Sequence, residues 1–474
     1  MSSTIKYSID AFKGIDQSAD ENSLSPSYSP DACNMDTTDG RLSVAKGYVK
    51  HIDIPVPGTG KIHRMHVFSH SGGDEFIVMA GNSVYAKKSD GWTQIYEYEG
   101  DVTGKFTCEE TQISGTDYLL IGCENNRIVK YNGQTASLFG SEDGQSDKRT
   151  MYLAMFGGRL FAAGDPDYPS RLYWSQLPGS GRTIENWGPV EASVNVEGGH
   201  TEIGASHTDT ITALAAMSNQ LLIFTKRGLF RLIGDRPSNF TVERIDAQVE
   251  RMAASSLVRV GDAAFYMTHE GLFIFNGVTS YLSPDARKIC VTLDGADVSD
   301  CRGAATRRTL YFTVKEADGG DAMIEYDMLR YTYMIRRGFG IRDICAWDGR
   351  IYLVNDTRCV YRFGEGGSYD GAPIEAHWNT PLTDLLEKTF IKHLDGLYLR
   401  GSAENDAALI IDVTVGDNTA RHRVLLPYSE SAVKEIPLRN EGRAFKLRFS
   451  NENGGAFSLF GGVELEISAR KRVS

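Results

Sequence analysis

Between about residue 60 and residue 365 the chain repeats one pattern of apolar and polar positions: an apolar run, a polar turn, then an aromatic-bearing run. A third run usually follows after another turn. Examples are "FIVMAGNSVYAKKSDGWTQI", "LIFTKRGLFRLIGDRPSNFTVERI" and "YLVNDTRCVYRFGEG". The runs are short and rich in β-branched and aromatic residues, and pairs such as Gly81-Asn82 and Asp90-Gly91 separate them, which predicts strands and hairpins rather than helices. Seven residues that open successive units, Phe76, Tyr118, Leu160, Leu222, Phe265, Tyr311 and Tyr352, are spaced by 42, 42, 62, 43, 46 and 41 residues. A period of about 40 to 50 residues is that of a propeller blade. A further run of small or apolar residues precedes most anchors ("RMHVFS", "MYLAMF", "ITALAAM", "DICAWD"), as suits the narrow inner end of a blade. A single four-stranded blade cannot bury both faces, so the units must stack and close into a ring.

The expected fold is therefore all-β: a β-propeller of about seven blades over residues 61–371, followed by a C-terminal β-sandwich-like domain over 372–474. The one long interval holds "LPGSGRTIENWGPVEASVNVEGG", read as part of a large loop inserted at 177–205. From Ala372 onward the runs lengthen and alternate strictly, as in "ALIIDVTVGD" and "RAFKLRFSN". Residues 1–60 form an extended arm expected to complete the last blade and latch the circle. Tyr173-Trp174 and Tyr331 to Tyr333 read as packing between blades, because strands favour aromatic residues in any case.

Composition narrows the chemistry. A hydrophobic fraction of 41% supports a sizeable core, and 49 glycines against 14 prolines point to many tight turns. The net charge of -12 disfavours adhesion to nucleic acid or anionic membranes. Seven scattered cysteines without a C-x-x-C pair indicate neither a disulfide framework nor a zinc site. No apolar segment has the length of a signal peptide core or a membrane span, so a soluble protein made in a cytoplasm is expected.

One short stretch raises an enzymatic question. Gly72-Gly73-Asp74-Glu75-Phe76 resembles the signature of the diguanylate cyclases, and "DAFKGID" resembles their substrate-binding helix. That chemistry needs helices around the hairpin to bring a further carboxylate to a metal pair. Here Phe76 is followed by hairpin turns, and Pro26, Pro30, Pro55 and Pro57 interrupt the segment upstream. Gly72-Gly73 therefore reads as a plain hairpin turn. His63, His66 and His70 have helical spacing on a predicted strand, so a surface position is expected rather than a metal site. "KKSDGWTQI" lacks the spacing of a sialidase Asp box, "EADGGDAMIEYD" (Glu316 to Asp327) reads as a solvated hairpin tip, and "ARKRV" (Ala469 to Val473) as an ion-pairing tail. No catalytic, cofactor-binding or metal-binding residue is assigned.

The N-terminal run from Asp10 to Tyr48 resembles the opening of a large class of tailed-bacteriophage virion proteins. The matching positions are Phe12, Gly14, Ile15 and Asp16; Leu24, Pro26, Pro30, Asp31 and Ala32; Asn34; and Gly40, Leu42, Lys46 and Gly47. The ending, "RAFKLRFSNENGGAFSLFGGVELEISARKR", is similar to the C-terminal strands of phage propeller proteins of the tail and neck, including packaged-DNA stabilisation proteins. The resemblance implies a non-enzymatic virion protein in a homo-oligomeric ring, six-fold or twelve-fold, at the head–tail connector or tail. Its implied partners are portal, adaptor or other tail proteins and passing DNA that is not specifically bound. Assembly would take place in the host cytoplasm, without cofactor or membrane. The 177–205 loop and the C-terminal domain are the expected contact surfaces, and a carbohydrate- or host-receptor-binding module is the rival expectation.

Overall fold

A computed structural model describes residues 4–471 apart from 101, 103, 141–147, 191–192, 205–208, 246–251, 386, 405–406 and 428–432. Seven β-sheets succeed one another among these residues, within 62–97, 106–138, 152–202, 211–245, 258–282, 303–337 and 343–363. Six are antiparallel and four-stranded, the last borrowing its fourth strand from the arm, and the sheet of 303–337 has four antiparallel strands of its own plus two added from the arm. They are numbered blades 1 to 7 below. The seven anchors all lie on the second strand of their blade. The first strand of blade 7, Asp343–Trp347, packs against that of blade 1, Ile62–His70, and so closes the ring.

Strand periodicity explains how each blade serves two neighbours. In blade 1, Phe76, Val78 and Ala80 pack with Tyr352 and Val354 of blade 7, while the alternate residues Ile77 and Met79 pack with Leu119 and Ile121 of blade 2. Successive side chains of a strand point to opposite faces, so a run apolar at every position is what a sheet buried on both sides requires. Each such side chain contributes about 1.5–3 kcal/mol of transfer free energy, against the entropy of ordering it.

Blade 7 takes its fourth strand from the arm: Tyr48–Ile52 pairs antiparallel with Val360–Phe363. The rest of the arm expected over 1–60 has other destinations. Gly14–Ile15 adds to the outer strand of blade 6, Thr332–Arg337, and Tyr28–Ser29 adds to Gly14–Ile15. Thr4–Ile9, Ala32–Cys33, Met35–Asp36 and Leu42–Val44 all enter the C-terminal sandwich. One sandwich sheet runs Val433–Gly442, Phe390–Ala403, Phe457–Lys471, Leu42–Val44, Met35–Asp36, with Thr4–Ile9 also on Phe457–Lys471. The other runs Asn418–Leu425, Ala408–Val415, Lys446–Asn451, His377–Asn379, Ala32–Cys33. The sandwich thus contains strands from both ends of the chain, and a boundary at 372 separates sequence but not sheets.

A single apolar cluster follows from this weave. It joins Phe312 and Tyr333 of blade 6, Ile9, Phe12, Ile15, Met35 and Leu42 of the arm, and Trp378, Ile411, Phe449 and Leu465 of the sandwich. Phe12 stands edge-on to Trp378, ring centroids 5.5 Å apart, and to Phe449 at 6.1 Å. Asn34 has a left-handed backbone (φ 54°), a conformation that asparagine tolerates better than most residues. Its side chain makes four hydrogen bonds. Nδ2 donates to the carbonyls of Arg337 (3.0 Å) and Glu375 (2.7 Å), and Oδ1 accepts from the Arg337 amide (2.9 Å) and the Tyr369 hydroxyl (3.0 Å). Blade 6, the end of blade 7 and the start of the sandwich therefore meet on one buried amide. Gly47 lies so close to the Ser368 carbonyl that a Cβ there would overlap it.

Two expectations need correction. The 177–205 insertion is not wholly loop, because Gly199–Glu202 is the fourth strand of blade 3. Tyr331 is not packed between blades: it sits at a hairpin tip with φ 57° and is 59% exposed, whereas Tyr333, two residues on, is fully buried. The side chains of 470–474, and with them most of the expected ion-pairing tail, lie outside the described residues. None of the helices among the described residues is long and apolar enough to cross a membrane.

Candidate functional site

Among the places that gather polar side chains are the throat of the ring and a cleft beside blade 3. The throat is lined by the first strands of the blades, among them Arg64, Glu109, Ala216, Arg259, Ala304 and Cys345. Its charged groups tie blades together. Asp343 of blade 7, fully buried, accepts a hydrogen bond from the Met65 amide of blade 1 at 2.5 Å. Its other oxygen lies 3.8 Å from both Arg64 of blade 1 and Arg302, which leads into blade 6. Glu109 of blade 2 accepts from the Met155 amide of blade 3 at 2.8 Å. Arg302 donates to Ser255 (2.9 Å), which precedes blade 5, and Arg259 of blade 5 donates to the Ala216 carbonyl of blade 4. For most of these groups the partner comes from a neighbouring blade.

The same surroundings suppress reactivity. Burial pushes the Cys108 thiol up to about 12 and raises Cys345 as well, so both are protonated near neutrality and neither is an activated nucleophile. Burial also lifts the Glu109 carboxyl above its ordinary range, with the Met155 amide and Arg259 drawing it back. Among the described residues, no three His, Cys, Asp or Glu side chains converge to hold a metal ion.

The cyclase-like stretch sits in the seam between blades 1 and 2. Ser71 and Gly72 form the turn between Ile62–His70 and Gly73–Ala80. Glu75 bonds the Lys88 ammonium (2.5 Å) and the Tyr131 hydroxyl of blade 2 (2.8 Å), and Lys88 donates in turn to Tyr131 and the Gly133 carbonyl, each at 2.7 Å. The residue that would serve nucleotide chemistry is thereby a clamp between blades. The three histidines expected on the surface are in this region too. His63 is buried near Phe106, His66 contacts Glu110 of blade 2 at 2.8 Å, and His70 Nε2 stands 3.6 Å from Glu75. Burial and nearby Lys61 hold His63 below the usual imidazole range.

The cleft at the outer side of blades 2 and 3 has a volume of about 920 Å³. Arg127 comes from within blade 2, Lys148 and Arg149 from the connection to blade 3, and Tyr168 and Arg171 from the turn into that blade's third strand. Trp187 of the insertion forms part of the wall. The Arg171 guanidinium lies 3.8 Å from the centroid of the Tyr168 ring and bonds Glu202 at 2.7 Å. Lys148 Nζ stands 5.5 Å from the Tyr173 ring and 5.4 Å from that of Trp187. Tyr173 donates to Asp165 at 2.8 Å, and Arg149 meets Asp167 at 2.5 Å. Sequence reasoning missed this cleft, whose only signal was the 62-residue interval between anchors.

No protein-family model and no curated sequence matches the chain. Among solved structures it is similar to the extracellular domain of BT4673 from B. thetaiotaomicron (TM-score 0.45, 13% identity, 82% of this chain and 47% of that one). It is also similar to BamB from Moraxella catarrhalis (0.40, 11%, 76% and 100%) and to the WD40 domain of Neurospora crassa Pan2 (0.43, 10%, 68% and 96%). The chain thus spans about half the length of the BT4673 domain. The protein is a seven-bladed β-propeller joined to a β-sandwich.

Proposed function

We propose that the chain is a non-enzymatic building block of a tailed-phage particle. In this reading, copies assemble into a ring of six or twelve at the head–tail connector or tail, around the DNA channel and against portal, adaptor or other tail proteins. The observation that supports it most is the use made of the residues that carry the resemblance. Phe12, Gly14, Ile15, Ala32, Asn34, Leu42 and Gly47 are buried, and the sheets and hydrogen bonds around them fasten sandwich to propeller. A motif spent on rigidity suits a part that must keep its shape under the load of assembly. The net charge of -12 agrees with a wall that DNA passes without sticking.

Negative-stain imaging and mass photometry of the purified full chain, alone and mixed with tailed-phage portal and adaptor proteins, test the reading. Closed rings or a stable complex are expected, with no retention of duplex DNA at physiological salt. A monomer that joins neither partner would overturn it.

A further inference from the structure

We propose that the cleft between blades 2 and 3 is a binding site for an acidic sugar residue, one bearing a carboxylate or sulfate. This goes beyond the assembly reading, and ligand binding and ring formation are read out separately. In a chain of net charge -12, the cleft gathers Arg127, Lys148, Arg149 and Arg171 against the two carboxylates Asp165 and Asp167. With Glu202, which pairs with Arg171, counted as a third carboxylate, the described groups still leave one positive charge over, and three of the cations are fixed in place. Arg171 is pinned between Glu202 and the Tyr168 face, Lys148 lies near two rings, and Arg149 is held by Asp167. Cations ordered before a ligand arrives bind it with less entropic cost.

The rest of the lining selects the kind of anion. Tyr168 is 48% exposed, so an aromatic ring offers free area beside the cations. Aromatic faces pack against the C–H faces of sugar rings, while carboxylate or sulfate oxygens pair with guanidinium groups. Asp167, with its side chain 66% exposed, adds a hydroxyl acceptor. A neutral glycan would offer the guanidinium groups no oxyanion to pair with. At about 920 Å³ the cleft has room for two or three sugar units, since ligand sites run to roughly 300–1,000 Å³.

Titration calorimetry on the full chain would use three probes: an oligogalacturonate, a sulfated heparin-derived oligosaccharide and neutral maltohexaose. At least one acidic probe is expected to bind, more weakly as salt rises, while maltohexaose does not. Tyr168→Ala and Arg149→Ala each remove a side chain that is largely outside the core. Each is expected to weaken that binding about tenfold, with the thermal midpoint and ring formation unchanged. Absence of binding by both acidic probes, equal binding of maltohexaose, or acidic binding untouched by both substitutions would overturn the proposal.

Discussion

The throat and the arm junction perform the same task, holding separate sheets together, by opposite means. At the junction, apolar side chains dominate and the central polar group, Asn34, is fully satisfied. In the throat, charged groups reach across seams, and some of their polar atoms stay unpaired: Arg64 Nε, Arg302 Nε and Asp343 Oδ1 have no hydrogen-bond partner. Apolar packing gains with every atom buried. Buried ion pairs first repay their own desolvation, so they specify which blade sits beside which more than they stabilise. The junction supplies adhesion, and the throat supplies register.

Four substitutions sharpen that contrast. Trp378→Ala is expected to cost most, about 3–5 kcal/mol, because a fully buried indole leaves a cavity beneath Phe12. A fall in the thermal midpoint no larger than that of a surface variant would break the claim. Asp343→Ala strands Arg64 and Arg302 beside a lost backbone acceptor and is expected to cost about 3 kcal/mol. The low end of the range applies because both ion pairs are long. Replacing Asp343, Arg64 and Arg302 together by Leu, Met and Leu should recover most of that loss, a recovery that no substitution at Trp378 would match.

The third test is one of pH. A carboxyl whose folded pKa is raised stabilises the fold fully only below its unfolded value, near 4.3, and that stability drains as pH rises through the folded value. Glu109→Gln keeps an acceptor for the Met155 amide and cannot ionise. Its unfolding midpoint is expected to equal that of the parent at pH 4 and exceed it at pH 7; a difference independent of pH would refute this. The smallest effect belongs to Tyr331→Gly, which relieves a left-handed backbone at an exposed tip and should stabilise by no more than about 1 kcal/mol. Denaturant midpoints resolve it, and destabilisation would show that Tyr331 packs after all.

The apolar framework was legible in the sequence because period-two alternation and glycine-marked turns are local signals. Phe76, Leu222 and Tyr352 announce their strands to neighbours a few residues away. The seams were not legible. Met65 and Asp343 are partners across 278 residues, and a charged residue in a short strand looks the same whether it faces water or the next blade. His63 was misplaced for that reason: a ring closed on itself turns positions that look exposed into seams. Tyr331 erred the other way, since an aromatic residue next to a strand reads as core although the hairpin lifts it into solvent. The blade 3 cleft is assembled from separate segments, so no single stretch carries its pattern.

The weave of the arm also sets a timetable. Thr4–Ile9 waits for Val463–Ser468, and Tyr48–Ile52 for Val360–Phe363, so these strands leave the ribosome long before their partners do. Until then the nascent protein carries unpaired strand edges that invite wrong pairing, including with sister chains. Latch and sandwich are therefore completed only once Val360–Phe363 and Val463–Ser468 have been made, and removing Tyr48–Ile52 or Thr4–Ile9 would leave each with an open edge.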